Sequence, residues 1–93
     1  MQTTDTPTGR ELAAAIATAR RAYHRHRRYY INSLPGRNSR VRGREASDHA
    51  RRYLRHEGES YVRRGLELDS QSMVTLGQAY RDLAEGRITI SAR

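Results

Sequence analysis

TGRELAAAIATARRAYHRHRRYYINSL, residues 8–34, is the stretch that decides the fold class of this chain. Thr8 and Glu11 stand three apart just before an apolar-periodic run. That is the spacing of a capping box, in which each side chain satisfies the other residue's free backbone N–H at a helix start. Beyond it Leu12, Ile16, Ala19, Tyr23, His26, Tyr30 and Leu34 recur at steps of three and four. At about 100° per residue they form one stripe roughly 80° wide. Arg20, Arg21, His24, Arg25, Arg27 and Arg28 fall on a separate arc of about 160°, with Arg27 at its edge beside the apolar stripe. Alanines at 13, 14, 15, 17, 19 and 22 add intrinsic helix propensity. The pattern predicts a long amphipathic N-terminal helix over roughly 9–33, stopped before Pro35-Gly36.

On the N-terminal side, residues 1–7 are polar and lead into Pro7, and read as a disordered tail. On the other side, residues 35–44 (PGRNSRVRGR) show two glycines and no apolar period. They are expected to form a basic linker, mobile unless an anion orders it. A second helix is predicted over about 45–68, with Ala46, Ala50, Tyr53, Leu54, Tyr61 and Leu68 on one face, interrupted by Glu57 and Arg64. On the opposite face Asp48 precedes Arg52, and Arg55, Glu59, Arg63 and Glu67 follow at i,i+4 steps, each pair worth about 0.2–0.5 kcal/mol. Gly58 and Gly65 either admit a neighbouring helix closely or break this one, at Gly58 if anywhere. A short third helix, capped by Asp69 or Ser70, carries Met73, Leu76, Gly77, Tyr80, Leu83 and Ala84 on its apolar face and should stop at Gly86.

The last seven residues, RITISAR, alternate too briefly to define a strand. With no partner strand evident, Ile88 and Ile90 are expected to be ordered only by a second molecule. The reading is all-α: a single domain over 8–93, a small bundle of about three helices with a short extended C-terminal tail. A helix-turn-helix unit fits poorly, because too little chain follows Gly86 for a recognition helix.

Composition narrows the function. The chain has 93 residues, no cysteine and six tyrosines as its aromatics. Disulfides, thiolate nucleophiles and cysteine-based zinc sites are thereby excluded. No apolar run approaches a membrane span, and the N-terminus lacks a signal peptide's basic and apolar regions, so a cytoplasmic protein without membrane contact is expected. All 18 basic residues are arginine, and the net charge is +8. Residues 12–44 hold nine arginines and no acid, whereas residues 45–93 hold eight arginines and eight acids. An excess confined to one stretch points to an anionic partner for that stretch.

Catalytic and metal-binding patterns are missing. His24 and His26 diverge on a helix, and His49 and His56 lie about 10 Å apart along one. No metal, cofactor, catalytic residue or small-molecule substrate is expected, and the chain reads as a binder and not an enzyme. The leading expectation is a polyanion, most of all nucleic acid (DNA or RNA) or a ribonucleoprotein. Its contacts would be Arg20, Arg21, His24, Arg25, Arg27, Arg28 and Tyr29 on the first helix, and Arg37, Arg40, Arg42 and Arg44 in the linker. The competing reading of the same arc is a solvated helix face, although such faces usually mix signs. Two alternatives remain: a protein-interaction module docking on an acidic surface (a phage or bacterial accessory factor, inhibitor or assembly component), and a structural homo-oligomer. For a homodimer, the interface residues would be Leu12, Ile16, Tyr23, Tyr30, Ile88 and Ile90.

Overall fold

The computed structural model describes residues 7–33 and 39–91 and contains three helices: α1 (Gly9–Asn32), α2 (Ser39–Leu68) and α3 (Gln71–Ala84). They form a small all-α bundle with extents of 56 × 28 × 17 Å. The capping box closes at the start of α1, where Thr8 N–H donates to Glu11 Oε1 at 2.8 Å and Glu11 N–H to Thr8 Oγ1 at 3.1 Å.

The α2–α3 connection is a Schellman turn. Asp69 takes the left-handed conformation at φ 55°, Ser70 N–H donates to Gly65 O at 2.7 Å, and Asp69 N–H donates to Leu66 O at 3.4 Å. Ser70 then caps α3, its hydroxyl accepting from Met73 N–H. The same motif ends α3, with Gly86 at φ 84° and Arg87 N–H bonded to Asp82 O at 2.8 Å. Arg51 adds a cation at this terminus, donating from Nη1 to Leu83 O and Ala84 O at 3.3 and 3.2 Å.

α2 departs from the sequence reading at its start, and at Gly58 it takes the close-approach alternative of that reading. It starts at Ser39, so the second half of the expected linker is helical. This segment packs on α1: Arg27 Nε donates to Ser47 Oγ at 3.2 Å, and a Cβ on Gly43 would meet Arg27 Nη2 at 3.2 Å. Tertiary contact thus outweighs a glycine's cost of about 1 kcal/mol. Nor does α2 break at Gly58. A Cβ on Gly58 would stand 2.8 Å from Gly77 O, and one on Gly77 would stand 2.6 Å from Gly58 O, so the two backbones touch. Gly65 likewise meets the Val74 backbone N.

The core is thin and rich in alanine. Leu54 and Leu83 are the largest fully buried side chains, clustered with Ala15, Ala19, Ala22, Ala50, Ala79, Ala84, Tyr23 and Tyr80, and Ala46 is buried apart from that cluster. On α1 the buried face is centred on Ala15, Ala19 and Ala22, turned from the predicted stripe, and Leu12 is left 43% exposed. Small side chains let the helices approach closely, which pushes the larger Leu12 and Ile16 to the edge.

The tail also differs from expectation. Ile88 and Ile90 pack, half-buried, against the chain's own core. Arg20 holds the tail by donating from Nε to Thr89 O at 3.0 Å and from Nη2 to Thr89 Oγ1 at 3.2 Å. No second molecule is needed to order these residues. Because α3 ends level with Arg51, the last turns of α1 and the first turns of α2 run on beyond it as a two-helix arm.

Candidate anion-binding face

The outer face of α1 carries an open groove of about 670 Å³ lined by Arg20, Arg21, His24, Arg25 and Arg28, with Ala17 and Ile90 completing its wall. Helical spacing aligns these side chains. Arg21, Arg25 and Arg28 follow at steps of four and three on one side, and Arg20 and His24 at a step of four on the other. Arg21, His24, Arg25 and Arg28 are exposed, while Arg20 is half-buried under the tail that it holds. Arg21 Nη2 donates to Thr18 Oγ1 at 3.1 Å, which leans it along the helix. Arg25 reaches the buried Tyr80: burial, then Tyr61 and Glu57, raise the phenol's pKa, and the charge of Arg25 and its hydrogen bond to Tyr80 partly offset that shift.

Among the described residues no carboxylate pairs with Arg20, Arg21, Arg25 or Arg28. Glu57 lies 3.3 Å from His26 Nε2. Asp82 and Glu85 engage Arg87 at 3.0 and 2.7 Å. The predicted solvent ladder on α2 does not close either: Asp48, Glu59 and Glu67 make no ion pair with Arg52, Arg55 or Arg63. These side chains are exposed, where such pairs contribute little.

Several expected contacts sit elsewhere. Arg27 is drawn into the α1–α2 seam by Ser47 and does not line the groove. Tyr29 is 72% exposed beside the groove and not in its lining. Arg42 and Arg44 ride on the first turns of α2, Arg42 half-buried and engaged in a contact, Arg44 exposed. Arg40 lies in the same helix, and Arg37 falls outside the described residues.

Of the expected interface residues, Tyr23 is a core residue at 4% exposure, edge-on to His24 and beneath the Arg51 guanidinium. Leu12, Ile16 and Ile88 instead line a groove of about 280 Å³ against α3.

Sequence reading missed one cluster. Tyr30 stacks on His49, His49 tilts against Tyr53, and Tyr53 stacks on His26. Its signal was present as matched i,i+4 pairs, His26/Tyr30 on one helix and His49/Tyr53 on the next. Among the described residues no group of three potential ligands can hold a metal ion, and no helix is long and apolar enough to cross a membrane. No family model matches the chain, and neither a curated protein nor a solved structure matches it.

Chemically, the face can offer planar guanidinium forks and one ionisable imidazole to an extended anion. It assembles no nucleophile–base pair.

Proposed function

We propose that this chain is a small non-enzymatic protein that binds a polyanion, namely nucleic acid (DNA or RNA) or a ribonucleoprotein, through the outer face of α1. The observation that carries this reading is the row of exposed Arg21, His24, Arg25 and Arg28 with no carboxylate paired to its arginines. Arg44 at the start of α2 extends the basic surface if the ligand reaches the arm. Leu12, exposed beside Ile16 and Ile88, supports self-association as a second reading.

The test is a salt titration of binding to duplex DNA, single-stranded DNA and structured RNA. Each phosphate neutralised by an arginine releases condensed counterions, so for duplex DNA log affinity should fall against log salt by about 0.9 per contact. Replacing Arg21, Arg25 and Arg28 by glutamine should weaken all duplex sequences alike and flatten that slope by about 2–3. Absence of binding to all three nucleic acids by folded protein at low salt would overturn the reading and promote an acidic protein partner.

A further inference from the structure

A chain of alternating tyrosine and histidine rings joins the arm. Tyr30 of α1 and His49 of α2 have centroids 4.5 Å apart and planes 28° apart. His49 and Tyr53 are at 4.8 Å and 55°, and Tyr53 and His26 at 4.6 Å and 18°. The chain ends where His26 Nε2 meets Glu57 Oε1 at 3.3 Å. Two of the three ring contacts cross from one helix to the other: Tyr30–His49 beyond the level of Arg51, where α3 ends, and Tyr53–His26 on the α3 side of that level.

We propose that this ladder is a proton-operated latch: protonation of His49 loosens the contact between the last turns of α1 and the first turns of α2. His49 is faced from α1 by Tyr30 and His26. On α2 its titratable neighbours are Glu45 and Asp48 before it and Arg52, Tyr53 and His56 after it. With Arg52, Tyr53 and His56 it lines a groove of about 510 Å³. Burial, then His26, then Arg52 each disfavour its charged form and lower its pKa below the ordinary 6.5. Glu57, the carboxylate that touches the ladder, is engaged by His26. The tyrosine rings would attract an imidazolium, yet the net direction at His49 is downward, so burial, with His26 and Arg52 beside it, outweighs them.

The sign follows from linkage. An unfolded or opened chain takes a proton on this histidine near pH 6.5, before the closed latch does. The stabilisation from neutral His49 is therefore complete above that pH. It declines as pH falls below 6.5, until the closed form also titrates. The latch does not rest on the nucleic-acid reading.

The experiment uses the full chain without nucleic acid, comparing wild type with His49→Phe, which keeps a stacking ring that cannot titrate. Unfolding midpoints and amide exchange, corrected for intrinsic rates, are measured from pH 8 to 5. The expected result is a wild-type midpoint that drops relative to the variant as pH falls through 6.5. Protection of the amides around 28–32 and 44–50 should drop several-fold in wild type alone, with α3 unaffected. The ring resonance of His49 in the wild type should titrate below 6.5, a readout that survives even if the variant fails to fold. A wild-type–variant difference independent of pH, or titration of His49 at or above 6.5, would overturn the latch.

Discussion

At Gly58 and Gly77 a single hydrogen in place of a methyl group sets the distance between α2 and α3. A Cβ at either position would press on the other's carbonyl oxygen at under 3 Å, and backbone cannot swing aside as a side chain does. Gly77→Ala should therefore cost about 1–3 kcal/mol, the usual range for overfilling a packed contact. Gly9 is helical with open space around it, so Gly9→Ala should leave stability unchanged or raise it by up to about 1 kcal/mol. Urea unfolding of the two variants checks the contrast, and equal effects would mean that the close approach is not what the glycines provide. In sequence, Gly58 stood open between a helix breaker and a contact point. Only the facing glycine on α3, 19 residues later, resolves it. Tertiary partners of this kind are invisible to a local reading.

The ends of the helices were more legible than their faces. Thr8 and Glu11, Ser70, and Gly86 act where their residue types predict, because caps and left-handed turns are local chemistry. The buried face of α1 was legible only in part, since periodicity weights Leu12 and Ile16 whereas packing favours Ala15 and Ala22. The start of α2 was hidden because its support comes from Arg27 on another helix. The tail was hidden for the same reason: Arg20, read as a free cation, holds Thr89. Deleting residues 87–93 should therefore lower stability by roughly 1–3 kcal/mol, the scale of two half-buried isoleucines. Thermal or urea unfolding measures this, and an unchanged midpoint would show that the tail is not part of the folded unit.

Across the whole molecule, the charge asymmetry written in the sequence becomes spatial asymmetry. Residues 12–44 carry an excess of nine arginines, and the fold displays part of it on the outer face of α1, while Arg27 and Arg20 are partly spent on the structure itself. The candidate site was therefore legible as a helix face but not as a membership list, because helical angle does not reveal which arginines the fold recruits. A general attraction between a protein of charge +8 and a polyanion would not depend on which arginines are removed. A built face would. The most direct measurement compares duplex DNA binding, at one fixed salt concentration, by two variants of equal charge. One has Arg21, Arg25 and Arg28 replaced by glutamine; the other has Arg55, Arg63 and Arg64 replaced on the exposed, mixed-charge surface of α2. The α1 variant should lose at least about tenfold more affinity than the α2 variant, a difference of about 1.4 kcal/mol. Equal losses in the two would contradict a binding face on α1.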